Sequence, residues 1–473
     1  MSESLNQPNI VFINTDQQRY DSLGCYGSEV ARTPNIDRLA EDGVRFSRCY
    51  TAHPVCMPAR ATWFTGQYPS HHGVWQNGVP LNPEADTLQR RLGHAGYHTA
   101  LIGKIHLDNV WLRKEKHPSY GFDLLLECEG DPYCFDDYFR WLDDQGLYEP
   151  YMEQFKEEGH RKGYVRDLPE EKHMNNWITR HVEDYFGRRA EDERPFFLSV
   201  GFFDPHHPFD PCEPYASMFD PDDMPMPVFT EEEKETMIPP ARARRAGSES
   251  LCTDSSPDAI RGTIAAYHAT IAHVDAMVGR IMDALRGTGL EENTVVVFTS
   301  DHGELLGDHG MLHKGQFFYE CSVRVPLIYR FPERLGVTGV KENLVSHVDF
   351  APTIAALAGE AGPKLTQGQP LFAPDLSPTD GDERDAVMVE WRDRDVDSDG
   401  PYTTAKCLIT ERYKYVYYHK EPFGELYDLE EDPHELNNLW DDPAHAETKE
   451  HLAAALWRNM VDSEPCPTRT DVF

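Results

Sequence analysis

Thr294-Val295-Val296-Val297-Phe298-Thr299 runs without a polar break into Ser300-Asp301-His302-Gly303, and this passage sets the fold class. A short, continuous, β-branched run predicts a strand covered on both faces, as in a parallel sheet between helices. The segment before it agrees. Ile264, Tyr267, Ile271, Val274, Val278, Ile281 and Leu285 recur at spacings of three and four, predicting a helix over about Ala259–Arg286 with Gly287 at the cap. Other strand-like runs also end in polar residues. Ile10–Ile13 leads into Asn14-Thr15-Asp16-Gln17, Tyr97–Ile102 into Gly103-Lys104-Ile105-His106, and Phe196–Phe203 into Asp204-Pro205-His206; Val325–Tyr329 is a further strand. In open α/β sheets, ligands gather beyond the carboxyl ends of strands. Four such ends carry acids, histidines or lysines here, so the sheet rim is the candidate site.

At 473 residues the chain can bury a large α/β core plus a smaller unit. Gly359–Asp385 is rich in Gly, Pro and Asp and reads as a connection. Beyond it, Val387–Trp391, Thr403–Ile409 and Tyr413–Tyr418 predict an antiparallel set, followed by a helix over about Pro443–Val461. We therefore expect a main domain over residues 1–375 and a C-terminal subdomain over 376–473. The stretch Leu107–Arg194 is acidic, aromatic and irregular, suited to loops that shape a pocket.

The balance of 45 basic against 81 acidic residues, a net charge of −36, argues against nucleic acid or an anionic membrane as partner. A small anionic substrate stays admissible, because a local cationic cluster outweighs diffuse charge that salt screens beyond about 10 Å. The ten cysteines lack metal-site spacing and disulfide-scaffold density, so most read as buried thiols. No run approaches a membrane span, and the start lacks a basic segment followed by an apolar one. The expectation is a cytoplasmic protein. Oligomeric state is unreadable, although a homo-oligomer would be unsurprising.

Cys56-Met57-Pro58-Ala59-Arg60, followed by Ala61-Thr62-Trp63-Phe64-Thr65-Gly66, is the most specific segment. By spacing alone Cys-x-Pro-x-Arg is weak, since a lone cysteine is more often a buried small side chain. In context it resembles the formylglycine signature of sulfatases, in the variant with Ala rather than Ser before Arg. Thr33-Pro34-Asn35-Ile36-Asp37-Arg38-Leu39 upstream strengthens the match. So do His347-Val348-Asp349-Phe350-Ala351-Pro352-Thr353-Ile354 and, near the end, Glu425-Leu426-Tyr427-Asp428-Leu429. The resemblance covers nearly the whole chain. It implies an alkaline-phosphatase-like, mostly parallel sheet flanked by helices, with a smaller C-terminal domain carrying an antiparallel sheet and a helix.

The resemblance also implies that Cys56 is oxidised to formylglycine by a formylglycine-generating enzyme. A hydrated aldehyde carries two hydroxyls on one carbon. One can attack sulfur, and deprotonating the other expels sulfate by breaking a carbon–oxygen bond. Arg60 would sit beside this diol. Asp16, Gln17, Asp301 and His302 match the superfamily's metal ligands, with Cys56 completing the set; Lys104 would bind sulfate and diol oxygens, and His106 would take the second hydroxyl's proton. His206 and Lys314 would serve the leaving oxygen, and Asn77 would contact substrate. Oxygen ligands favour Ca²⁺. Gln17 and His302 replace an Asp and an Asn common in sulfatases, which keeps Mn²⁺ or another transition metal open.

The implied function is hydrolysis of sulfate monoesters, with a sulfate ester as small-molecule partner. A phosphonate monoester hydrolase or phosphodiesterase of the same superfamily is the nearest alternative. Relatives specialised for phosphonate esters tend to carry uncharged residues where this chain has Lys104 and His106. A silent sulfatase-like binding protein would require loss of the nucleophile or ligands, and none is lost. Trp111, Tyr133 and Trp391 are candidate pocket aromatics, although core packing is the more frequent role of such residues.

Overall fold

The computed structural model describes residues 7–108, 117–134, 136–158, 163–247, 256–372, 376, 384–393 and 403–464. An eight-stranded sheet dominates them, in the order β4-β3-β5-β1-β6-β7-β2-β8. In chain order its strands are β1 (Asn9–Thr15), β2 (Val44–Tyr50), β3 (His98–Gly103), β4 (Leu124–Glu127), β5 (Phe196–Gly201), β6 (Thr294–Ser300), β7 (Arg324–Arg330) and β8 (Gly339–Ser346). The five strands from β4 to β6 are mutually parallel. β7 runs antiparallel to both β6 and β2, and β8 closes the sheet parallel to β2.

Residues 9 to 15 of β1 are all buried, because alternate side chains enter different cores. Val11 and Ile13 meet helices α2 (Met174–Arg189) and α3 (Pro257–Gly287) on one face. Ile10 and Phe12 meet α1 (Cys56–Thr65) and α4 (Phe350–Leu357) on the other. The continuous apolar reading of these strands follows from that double coverage. Helix α3 extends slightly beyond the expected span and includes Gly287, with Thr288 as its cap.

Other parts differ from the sequence reading. Within the stretch expected to be irregular lie β4 and the helices Asp137–Asp144, Tyr148–Glu158 and α2. Their apolar faces are carried by aromatics such as Tyr138, Phe139, Trp177 and Tyr185, interleaved with acids that mask the periodicity. β2 and β8 escape notice because both mix charged residues into their runs.

A second, antiparallel sheet has the order β12-β11-β10-β9. It comprises β9 (Ala386–Asp393), β10 (Thr403–Thr410), β11 (Tyr413–Tyr418) and β12 (Gly424–Asp428), with helix α5 (Ala446–Asp462) packed against it. Of the boundary expected near residue 375, residues 373–375 and 377–383 lie outside the described residues. Val387, Val389, Ala405, Cys407 and Val416 share a core with Tyr50, Leu305 and Phe317, so the small sheet is built onto the large one. Lys414 of β11 fastens this contact. Fully buried, its Nζ lies 3.0 Å from Glu320 Oε1 and 2.6 Å from Glu435 Oε1, and donates to Phe318 O at 2.6 Å.

Removing one partner of a buried ion group leaves uncompensated charge and costs about 3–5 kcal/mol. Lys414→Met is therefore expected to lower unfolding stability by about that amount in urea titrations. An unchanged midpoint would show that this cluster does not fasten the sheets.

Candidate active site at the carboxyl edge of the sheet

β1 and β6 lie side by side with Thr15 opposite Ser300, so the next residues, Asp16 and Asp301, leave the sheet together. Both carboxylates are fully buried. Helix α1 approaches from the other face and contributes two more groups. Cys56 is its first residue and Arg60 lies one turn on, so an i, i+4 spacing places both side chains on one side. Pro58 fits within the first turn, where its missing N–H breaks no helical bond.

The carboxylate oxygens divide by partner. Asp301 Oδ2 accepts from Arg60 Nε at 2.8 Å, and Asp16 Oδ2 lies 3.3 Å from Arg60 Nη2 and 2.8 Å from Lys104 Nζ. Asp16 Oδ1 faces the opposite way, 3.6 Å from Cys56 Sγ, 3.7 Å from His302 Nε2 and 3.7 Å from Lys314 Nζ. Asp301 Oδ1 accepts from the backbone N–H groups of Gln17 at 3.0 Å and His302 at 2.9 Å. Arg60 gives its donors to the two carboxylates, to Asn14 Oδ1 and to Lys104 O. It holds the acids. Burial alone would raise the Asp16 carboxyl, but Lys104, Lys314, His206 and Arg60 hold it well below the usual range.

His302 Nδ1 lies 2.8 Å from Gly303 O and donates to it, which leaves the Nε2 lone pair facing Cys56 Sγ at 3.2 Å. A backbone carbonyl holding one ring nitrogen while the other faces a ligand cluster is the usual arrangement of a metal-binding histidine. Asp16, Cys56, Asp301 and His302 bring one potential ligand atom each within 4.8 Å of the others. Lys314 Nζ contacts Gln17 Oε1 at 2.7 Å and Cys56 Sγ at 3.0 Å, so an ammonium already finds acceptors here. Burial and Asp16 push the Cys56 thiol up, and Lys314 with His302 outweigh them to bring it below its ordinary value. The donor set therefore fits a cation.

A second group, His173, Cys212 and His273, fits poorly. Satisfying Glu170 O at 3.1 Å and Arg280 Nη1 at 3.2 Å orients the Asn176 amide so that its nitrogen donates to His273 Nε2 at 2.6 Å. The His273 proton then sits on Nδ1, facing Cys212 Sγ at 3.9 Å, where a metal would need a lone pair.

A cavity of about 330 Å³ opens above Cys56 and is lined by Asn77, Lys104, His106, His206 and His207 among others. A larger cleft of about 590 Å³ lies beyond Arg19 and Tyr267, away from Cys56. Asn77 Oδ1 caps the start of α1 by accepting from Met57 N at 3.0 Å. His106 has a positive φ of 48°, and Glu129 Oε1 accepts from its backbone N–H and from that of Ile105, both at 3.1 Å. Close backbone contact places Lys104: a Cβ on Gly103, whose φ is +110°, would lie 2.0 Å from Gly201 O. His206 Nδ1 donates to His207 O at 2.6 Å, leaving Nε2 4.0 Å from Asp16 Oδ1. All eleven residues singled out by sequence thus lie at or directly behind this rim. Of the candidate aromatics, Trp391 is buried and stacks on His53 at 5.3 Å, Tyr133 is half exposed against Phe155 at 6.0 Å, and Trp111 lies outside the described residues.

Sequence reasoning missed Glu304, His207, Glu129 and Asn14, which touch the site residues rather than the cavity centre or lie beside better-marked neighbours. Glu304 and His207 directly follow quoted motifs, and that adjacency was the available signal.

Residues 8–360 match the family model described as Sulfatase, and residues 307–462 match that of the N-sulphoglucosamine sulphohydrolase C-terminal region. The chain belongs to the sulfatase family. This sulfatase is 32% identical to the uncharacterized sulfatase YidJ of Escherichia coli, over 96% of this chain and 87% of that one. It is 31% identical to an arylsulfatase of Clostridium perfringens, over 97% and 95% of the two chains. Among solved structures, the phosphonate monoester hydrolase of Agrobacterium radiobacter superposes with a TM-score of 0.83 at 29% identity, covering 96% of each chain. Family membership makes the protein a sulfuric ester hydrolase, with the alkaline-phosphatase-like fold.

Arg60→Lys keeps the charge but loses the fork that reaches both carboxylates. A stability loss of about 1–3 kcal/mol is expected from hydrogen bonds left unmade in a buried site. Thermal unfolding of the variant checks this, and wild-type stability would remove Arg60 from its bridging role.

Proposed function

We propose that this sulfatase hydrolyses small sulfate monoesters at residue 56, after a formylglycine-generating enzyme has converted Cys56 into formylglycine. The supporting observation is the position of Cys56 Sγ, at the start of α1 and within 3.7 Å of Asp16, His302 and Lys314. Asp16, Gln17, Asp301 and His302 would hold one divalent cation, Ca²⁺ by preference and Mn²⁺ as the alternative. Such a cation lowers the pKa of a bound hydroxyl and neutralises charge on sulfate oxygens. The hydrated aldehyde supplies a nucleophilic hydroxyl and a second hydroxyl through which sulfate can leave.

The chain's own groups divide the remaining work. Lys104 Nζ, anchored on Asp16 and 4.7 Å from the Phe203 ring centroid, offers positive charge to the sulfuryl oxygens. His106 is held neutral, its pKa driven well below the usual value by burial and by Lys104, so it can accept a proton from the second hydroxyl. His206 is likewise neutral through burial and Lys314, and its free Nε2 can accept a hydrogen bond or proton. Lys314, whose Nζ lies 3.0 Å from Cys56 Sγ, is then the group to protonate the departing alcohol oxygen. Asn77, fixed by Met57 N, contacts the substrate.

A second reading has a specific support: the likeness to the Agrobacterium phosphonate monoester hydrolase. A singly charged phosphonate monoester or phosphodiester carries the charge of a sulfate monoester. The cationic Lys104 beside His106 favours sulfate as the main substrate, with the phosphorus esters as a side reaction.

Mass spectrometry of the peptide spanning Cys56, from protein made with its maturation enzyme, is expected to show aldehyde in place of thiol. Such protein should turn over an aryl sulfate faster than an aryl phosphonate monoester, and the opposite bias would reverse the ranking. Lys314→Ala should lower kcat by about 10²–10⁴-fold, the range for a lost general acid. Saturating Ca²⁺, at about 100 times its Kd, should raise stability by about 2.7 kcal/mol, and chelation should abolish the gain.

A further inference from the structure

Glu304 has no part in the scheme above, yet it is completely buried one residue beyond Gly303. Its Oε1 accepts from the backbone N–H groups of Leu306, at 2.9 Å, and of His313. Its Oε2 accepts from the side-chain amide nitrogen of Gln17. The same nitrogen lies 3.0 Å from His207 Nδ1. Gln17 thus has two acceptors around its NH₂ group. Its Oε1 points the other way, to Lys314 Nζ at 2.7 Å, beside Cys56 and Asp16.

The backbone of Gln17 is equally constrained. Its φ is +66°, its N–H donates to Asp301 Oδ1 at 3.0 Å, and its carbonyl accepts from Tyr267 Oη at 2.9 Å. With the main chain fixed, a half-turn about the last side-chain bond decides whether oxygen or nitrogen faces the cluster. A cation coordinates the oxygen and is repelled by the NH₂ group. His207, Glu304 and His313 could themselves hold an ion. The amide nitrogen of Gln17, bonded to two of the three, already takes that place.

We infer that Glu304, assisted by His207, is a positioning residue that sets which end of the Gln17 amide faces the cation. The inference rests on the reading of Gln17 as a cation ligand. With Leu306 and His313 donating to Glu304 Oε1 and the NH₂ end of Gln17 donating to Oε2, the amide oxygen is turned toward the site. Neither group touches the substrate in this role.

The test is an exchange of chemical groups. Glu304→Gln is isosteric and keeps an acceptor for Leu306 and His313, but it can offer NH₂ to Gln17, which then favours the flipped amide. Equilibrium dialysis with Ca²⁺ and with Mn²⁺ should show one cation per wild-type chain and a 10- to 100-fold weaker affinity in Glu304→Gln, about the loss typical when a ligand's supporting partner is changed. Adding Gln17→Glu to that variant restores a donor–acceptor pair of reversed polarity and frees an oxygen for the cation. The double variant should recover most of the affinity, which a general packing defect would not. His207→Phe, which keeps the aromatic stacking, should weaken binding less. Unchanged affinity in Glu304→Gln, or no recovery in the double variant, would overturn the positioning role alone. Two bound cations per chain would place one where the amide nitrogen sits and overturn it as well. A wild-type chain that binds no divalent cation would instead remove the cation site itself, and this inference with it.

Discussion

Two buried carboxylates at neighbouring strand ends are the constraint from which the rest of the site follows. Asp16 and Asp301 are side by side because β1 and β6 are parallel and in register. Their mutual repulsion in a water-poor interior would cost several kcal/mol if left unbalanced. Arg60 bonds the Oδ2 atoms of both from behind and Lys104 that of Asp16, while Asp16 Oδ1 faces Cys56, His302 and Lys314 and Asp301 Oδ1 accepts from the main chain of Gln17 and His302. A site that offers carboxylate oxygens on one side and fixed cations on the other is preorganised for a metal and for an anion beyond it. The helix that delivers Arg60 also delivers Cys56, so anchoring the acids and placing the proposed nucleophile are a single structural act.

This explains why the molecule needs coverage on both faces of the sheet. Helix α1 can reach the rim only by packing Met57, Ala61 and Phe64 into the core that also holds Ile10 and Phe12. Helix α3, on the opposite face, sends Tyr267 up to the main chain of Arg19 and Gln17. The turn after β1 is thereby gripped from both layers. The small C-terminal sheet supports the segment between Glu320 and β7 through Lys414, and so steadies the same edge from outside.

Much of this was legible in the sequence for physical reasons. Strands covered on both faces announce themselves as unbroken apolar runs, and groups used in chemistry sit where those runs stop. Asp16, Lys104, His206 and Asp301 were readable because a polar residue directly after a buried strand has few other reasons to cluster with its equivalents. β2 and β8 were illegible because edge and near-edge strands tolerate charge. Helix α2 was hidden because its apolar face is aromatic and mixed with acids. Arg60 was found from its motif, and three-dimensional geometry adds that its donors bond the two carboxylates. Glu304 was missed because its partner is another side chain, and no spacing rule connects positions 17 and 304.

The identity of residue 17 carries a last implication about charge. The amide of Gln17 is neutral where a carboxylate would add a negative charge. Asp16 and Asp301 face Arg60, Lys104 and Lys314, with Glu304 behind Gln17 and Glu129 behind His106. Around the site the chain carries a net charge of −36. A diffuse acidic surface is screened within about a Debye length, whereas buried cations beside a low-dielectric wall are not. Neutrality also makes orientation matter: a carboxylate ligates from either oxygen, but an amide must be held the right way round. In the proposed cation site the hydrogen bond from Gln17 to Glu304 meets that requirement, with the carboxylate one layer behind the amide.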